Sequence, residues 1–336
     1  MNERFPFDLI VYDFDGVLTD NRVSVSESGQ ETVMCHRGDG WWIQKISELG
    51  IKQIICSTEK NPVVSVRAKK IGIEAFQAVS NKYEMVREYA ERGRFDLKRV
   101  AYIGNDMNDY ECLQMVGYPF APKDAHPRVL TIAQILPQNG GYGVVRELYE
   151  LIHSHEASQR LSEKLVKIKL LVTDVDGVLT DGRIYLTEAG EVKAFWGKDA
   201  PRTAIAVRAG IKVCFFTARK GPAVVRRAAE LNADIVFKPD LKASGASFVE
   251  GMQSRFGVKP EEILYVGDDW SDLHAMKQVG ISATPADGSK ENREVALITT
   301  KAKGGEGVLA ELIEMLMRAQ GTWERYSKEY LSELIY

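Results

Sequence analysis

The chain has 336 residues, 45% of them hydrophobic and 27% charged, which describes a soluble globular protein long enough for two domains. Lys and Arg total 44 against 47 Asp and Glu, a formal net charge of −3, so charge gives no reason to expect a nucleic-acid partner. The scattered Cys35, Cys56, Cys112 and Cys214 form no CxxC pair, MNERFPFD is no signal peptide, and no apolar stretch nears the roughly 18 residues of a membrane span. A cytoplasmic protein is the expectation.

In chain order, the apolar run FDLIVY reads as a buried strand and delivers the acidic turn DFDGVLTD at 13–20. NRVSVSESGQETVMC (21–35) alternates with period two around ESGQ and predicts a β-hairpin, with Val23, Val25, Val33 and Cys35 on one apolar face. KQIICS and RVAYIG supply further strands, with helix-like segments such as PVVSVRAKKIG between them. The charged stretch HSHEASQRLSEKLVK (153–167) lacks Pro and Gly and predicts a helical connection. Its His153 and His155, two apart, do not share a helix face, which argues against a metal site there.

The pattern then repeats. DVDGVLTD (174–181) follows KLLVT, and Asp174 lies 161 positions after Asp13. GIKQIICSTEK matches GIKVCFFTARK at an offset of 160, and RVAYIGNDMNDYECLQMVG matches EILYVGDDWSDLHAMKQVG at 163. GRIYLTEAGEVKAFW (182–196) predicts the second hairpin, with Ile184, Leu186, Ala194 and Trp196 on its apolar face. Ordered blocks at a nearly constant offset read as a duplicated domain. Apolar strands alternating with helices predict two tandem doubly wound, Rossmann-like parallel sheets, each with a hairpin after its first strand and no large cap. The expected bounds are 1–155, 166–318 and a helical extension at 319–336, whose Trp323, Tyr326, Tyr330, Leu331 and Leu334 fall near one face.

Ligands of an open parallel sheet bind beyond the carboxyl ends of its strands. Asp13 and Asp15, with Asn105, Asp106 and Asp109, are expected there in the first half. Asp174 and Asp176, with Asp268, Asp269 and Asp272, are expected in the second. Crowded carboxylates need a cation, and an all-oxygen set favours Mg²⁺. Ser57, Thr217, Lys82 and Lys242 add hydroxyls and positive charge for phosphate oxygens. This set suits phosphoryl transfer through an aspartyl phosphate on a small phosphorylated metabolite. Asp13 and Asp174 would attack phosphorus, while Asp15 and Asp176 would protonate the leaving oxygen and then deprotonate the water.

DxDGVLTD, a hydroxyl after the second strand, a lysine and GxDxxD resemble the haloacid-dehalogenase-type phosphatases over 8–152 and 168–317. The short hairpin in place of a cap points to the branch that includes 3-deoxy-D-manno-octulosonate 8-phosphate phosphatase. CHRGDG (35–40), STEKNPVV (57–64), GNDMND (104–109) and DAHP (124–127) are also similar to the phosphatase modules of CMP-sialate synthetases and to 3-deoxy-nonulosonate 9-phosphate phosphatases. The resemblance implies a 3-deoxy sugar acid phosphate as substrate, nine-carbon ahead of eight-carbon. It implies substrate-side roles for Arg37, Asp39 and Gly40, and for Lys198 and Asp199. It also implies self-association, two chains forming a pseudo-fourfold dimer in which hairpins pack together. Asn105 and the KDAPRT segment (198–203) depart from the family pattern. They leave open another sugar or nucleoside phosphate, or one half serving as a binding or assembly module.

Overall fold

The computed structural model describes residues 5–188, 190–243 and 247–334, without the side chains of 241–243. The chain folds as two compact units, Met1–Gln159 and Arg160–Tyr336.

The first unit contains strands β1 (Leu9–Tyr12), β2 (Thr19–Val25), β3 (Glu31–Cys35), β4 (Lys52–Cys56), β5 (Glu74–Phe76), β6 (Val100–Ile103), β7 (Tyr118–Ala121) and β8 (Gln134–Ile135). Its helices are α1 (Arg37–Glu48), α2 (Val63–Ile71), α3 (Lys82–Gly93), α4 (Tyr110–Met115), α5 (Pro127–Leu130) and α6 (Val144–Lys167). Six strands form one parallel sheet in the order β5-β4-β1-β6-β7-β8, and β2 and β3 pair separately as an antiparallel hairpin.

All four residues of β1 are buried, because helices cover both faces of the sheet. Side chains alternate between two cores. Ile10, Tyr12, Ile55 and Ile103 pack with Ile43 and Ile46 of α1, Val64 of α2 and Leu148 of α6. Leu9, Val11, Ile54 and Tyr102 pack with Val86 of α3 and Leu113 of α4 on the other face.

The second unit contains β9 (Leu170–Thr173), β10 (Tyr185–Thr187), β11 (Gly190–Val192), β12 (Lys212–Thr217), β13 (Asp234–Phe237), β14 (Ile263–Val266), β15 (Ile281–Thr284) and β16 (Ile298–Thr299). Its helices are α7 (Asp199–Arg208), α8 (Pro222–Glu230), α9 (Lys238–Ala243), α10 (Phe248–Phe256), α11 (Leu273–Met276), α12 (Lys290–Val295), α13 (Val308–Ala319) and α14 (Trp323–Glu333). The sheet order, β13-β12-β9-β14-β15-β16, repeats that of the first unit strand for strand, and β10 pairs antiparallel with β11.

Four structural details bear on the expectations from sequence. The boundaries at 155 and 166 both fall inside α6, an unbroken helix of 24 residues whose polar sequence offers no breaker. The C-terminal helix α14 is part of the second unit, because Trp323, Tyr326 and Tyr330 pack on that unit's core and Arg208 pairs with Glu333 at 2.7 Å. Leu331 and Leu334 are exposed instead of docked. On the hairpins, Val23, Val25, Ile184 and Leu186 are exposed, whereas Val33 and Cys35 pack against the first unit's core. Among the described residues, no helix is long and apolar enough to cross a membrane.

Candidate active site

Parallel register sets the first unit's site. Tyr12, the last residue of β1, lies opposite Ile55 of β4 and Ile103 of β6. Asp13, one position further on, and Ser57 and Asn105, two positions further on, therefore emerge together at the carboxyl ends of three adjacent strands. They line one cavity of about 240 Å³ with Asp15, Thr58 and Asp106. Gly16 turns the chain away at φ +80°, and a side chain there would overlap the Asn105 amide.

Lys82, the first residue of α3, is buried beneath this cavity. Its Nζ lies 2.7 Å from Asp13 Oδ1 and 2.7 Å from Asp109 Oδ1. Asp109 also accepts from the Tyr102 hydroxyl at 2.7 Å, and its other oxygen accepts from the backbone N–H of Asn105 at 2.9 Å and of Asp106 at 3.3 Å. All four acceptor positions of the Asp109 carboxylate are thus taken, so it positions the lysine and the loop. Burial, then the charge on Asp109, pushes Asp13 up to about 8 against the pull of Lys82. Two buried carboxylates sharing one ammonium leave this centre short of positive charge.

The second unit builds the same frame. Lys238 Nζ lies 3.1 Å from Asp174 Oδ1 and 2.9 Å from Asp272 Oδ1, and the Tyr265 hydroxyl donates to Asp272 at 2.7 Å. Oxygens of Asp174, Asp268 and Asp272 lie within 4.8 Å of one another, a set able to hold a hard cation. Asp174 is raised to about 7 by burial and then Asp272, and Asp268 to about 7 by burial and then Asp174. Thr217 ends β12 and is buried, like Ser57. Asp106 and Asp269 begin the short helical turns after β6 and β14, where Asp106 Oδ1 accepts from the Met107 N–H at 2.7 Å.

The lysine position is filled by Lys238; the side chain of Lys242, expected in this role, lies outside the described residues. Lys238 follows β13 directly, whereas Lys82 comes after β5 by way of a loop capped by Asn81, so alignment of lysines by spacing missed it. The matching tyrosines, Tyr102 and Tyr265, stood in AYIG and LYVG and could have been found from that repeat.

The second acid of each turn meets opposite surroundings. Thr19 donates to Asp15 Oδ1 at 3.3 Å; burial raises Asp15, Thr19 opposes the rise, and Glu59 and Glu31 add to it. Asp176 instead forms ion pairs with Lys193 and, at 3.7 Å, with Arg219. Neither cation was anticipated, because the hairpin brings Lys193 back over the turn only in three dimensions.

Asp39 and Asp199, expected on the substrate side, are 2% and 3% exposed and face the protein. Asp39 accepts from the Val145 N–H at 3.4 Å in the first turn of α6, and Asp199 from the Ala310 N–H at 3.0 Å in α13. Each ties a helix N-terminus to the helix that carries it. Arg37 and Gly40 line a separate cavity of about 610 Å³ with Trp41, Arg67, Lys69 and Lys70. Lys198 sits at the start of α7, its Nζ 5.6 Å from the Trp196 ring.

Residues 43–148 match the family model of haloacid dehalogenase-like hydrolases. The 3-deoxy-D-manno-octulosonate 8-phosphate phosphatase of Haemophilus influenzae is 33% identical over 162 residues, 48% of this chain and 89% of that protein. Among solved structures, a HAD superfamily (subfamily III A) hydrolase from Legionella pneumophila is 29% identical with a TM-score of 0.50, covering 54% of this chain and 98% of its own. The 3-deoxy-D-manno-octulosonate 8-phosphate phosphatase of Moraxella catarrhalis, solved with magnesium, phosphate and KDO, is 30% identical with a TM-score of 0.48 over 51% and 98% of the two chains.

Proposed function

The chain belongs to the haloacid dehalogenase-like hydrolases and is a phosphatase; from that premise we propose that it carries two cap-less phosphatase centres that hydrolyse a 3-deoxy sugar acid phosphate through aspartyl-phosphate intermediates. The single observation that carries this reading is the buried aspartate–lysine–aspartate–tyrosine frame at the strand ends, built the same way in both units. A structural ion pair needs no hydroxyl and second acid facing it across a cavity; a phosphoryl-transfer centre does.

The metal is Mg²⁺, and the residues fit it. Asp174 and Asp268, with Asp272 behind them, offer only oxygen, and their burial leaves them in want of positive charge. In the first unit Asp13, the Asp15 carbonyl and the Asn105 amide oxygen, which lie close together, would be the donors. When bound, Mg²⁺ supplies the charge that lets a carboxylate and a phosphate dianion approach one another.

The protein's own groups do the rest. Asp13 Oδ2 attacks phosphorus while Lys82 holds Oδ1 and keeps the carboxylate aimed. Asp15, whose pKa burial raises, is the group in place to hand a proton to the leaving oxygen and then to take one from the water that cleaves the acyl phosphate. Ser57, which lines the first unit's cavity, and Thr217, at the matching strand end of the second unit, would meet phosphate oxygens. Asp109 and Asp272 are positioning residues acting through their lysines. The preference for nine carbons ahead of eight rests on the motif similarity of the first half. Pairing of exposed hairpin faces between chains would give Val23, Val25, Ile184 and Leu186 the cover they lack.

A second reading assigns the second unit to binding or assembly, because Lys193 and Arg219 occupy Asp176 in ion pairs where Asp15 of the first unit meets no such cation among the described residues. Phosphate release by Asp13→Asn, Asp174→Asn and the double variant, tested with 9-phospho nonulosonates, the 8-phospho octulosonate and common sugar phosphates, separates the two. Loss of a different substrate in each single variant supports two centres. A silent Asp174→Asn with a dead Asp13→Asn supports the binding reading. Full activity in the double variant overturns both.

A further inference from the structure

We infer that the two centres hold their divalent cation with unequal strength, because Asn105 lets the first centre satisfy itself without a cation while Asp268 leaves the second dependent on one. The inference rests on the metal-dependent phosphatase reading and deepens it.

Asn105 and Asp268 occupy the same place. Each follows the glycine after the strand neighbouring the central one. Each donates its backbone N–H to the acid behind the lysine, at 2.9 Å to Asp109 and 3.1 Å to Asp272. Each lies over the turn glycine, Gly16 or Gly177, where a Cβ would overlap its side chain. The two side chains have the same shape and differ only in charge and in the presence of an N–H donor.

That difference decides what fills the gap in front of them. With its nitrogen turned inward, the Asn105 amide donates to Asp13 Oδ2 at 3.2 Å and to the Asp15 carbonyl at 2.9 Å. With its oxygen turned inward it meets only acceptors, the arrangement a cation would bridge. The amide can thus present either end to this gap: its N–H would seal it with two hydrogen bonds, and its oxygen would coordinate a cation. A cation entering the first centre must turn the amide and break both bonds.

Asp268 has no such alternative. One Asp268 oxygen lies within 4.8 Å of an Asp174 oxygen, and neither carboxylate can donate a hydrogen bond to the other when ionised, so they repel until a cation lies between them. The charge count agrees. In front of the nucleophile itself, Asp268 adds a negative charge that neutral Asn105 does not, while Lys193 and Arg219 answer the charge of Asp176 at the turn. Affinity of oxygen sites for hard cations rises with ligand charge.

The test is calorimetric titration of Mg²⁺ into the metal-stripped full chain, with Mn²⁺ electron paramagnetic resonance as a second count of bound ions, neither requiring turnover. The expected result is two steps, with one ion per chain bound about tenfold or more tightly than the other. Asp268→Asn should abolish the tight step, and Asn105→Asp should convert the weak step into a second tight one. Each variant installs the residue that the other unit carries at that position, which protects the fold. Two equal sites in the unaltered chain, or an Asn105→Asp variant that leaves the weak step unchanged, overturn the inference. Absence of binding at both centres defeats the metal-dependent reading itself, and this inference with it.

Discussion

Asp39→Asn should flatten the stability of the first unit between about pH 4 and 7, and stabilise it at neutral pH. Burial, opposed by His36 and by the Val145 N–H, raises Asp39 from 3.8 to about 6. Its Oδ1 accepts a long 3.4 Å hydrogen bond, and its buried Oδ2 has no partner. Because its folded pKa lies above its unfolded one, the folded state binds the extra proton. The associated stability is full below about pH 4 and is lost as pH rises through about 6. A shift from 3.8 to about 6 corresponds to about 3 kcal/mol at roughly 1.4 kcal/mol per pKa unit, an upper bound because the α6 N-terminus favours the ionised form by up to about 1 kcal/mol. Asparagine keeps the acceptor for Val145 and stays neutral, so it retains that stability at every pH.

The assay is urea unfolding of both proteins at half-unit steps from pH 4.5 to 7.5. Other buried acids titrate in the same window, so the quantity to read is the difference between variant and parent. It should grow with pH and level off above about pH 7. Asp199, raised to about 6 by burial and opposed first by the Ala310 N–H, should behave alike, and the two effects should add because the residues share no partner. A difference that stays constant across the range refutes the reasoning.

Three further outcomes are expected. Lys82→Met removes the ammonium from Asp13 and Asp109, which should destabilise the first unit by about 3–5 kcal/mol in denaturant and abolish phosphate release that depends on Asp13. Gly16→Ala places a side chain at φ +80° against Asn105, at a cost of about 1–3 kcal/mol; the rate of the first centre should fall, with turnover dependent on Asp174 unchanged. Val23→Glu with Val25→Glu alters exposed hairpin positions and should change stability by no more than about 0.5 kcal/mol, while light scattering shifts from an assembly to the mass of one chain.

Sequence alone determined the repeated scaffold. Strands buried on both faces must be apolar throughout, hairpins must alternate, and an acid turn after a strand must open at the sheet's carboxyl end. LIVY, LLVT, DFDGVLTD and DVDGVLTD could therefore be placed from local pattern, and strand order then brought Asp13, Ser57 and Asn105 into one cavity. Tertiary structure alone decided the electrostatics. Lys238 serves Asp174 because α9 starts where β13 ends, a placement invisible to lysine spacing. Asp39 and Asp199 turn inward because helix N-termini converge on them from more than a hundred residues away in sequence. Asp15 faces Glu59 and Glu31 while Asp176 faces Lys193 and Arg219, although their turns are nearly the same string. Local pattern fixes where a backbone goes; the charge state of a side chain depends on whatever distant segments fold against it, and that sum exists only in three dimensions.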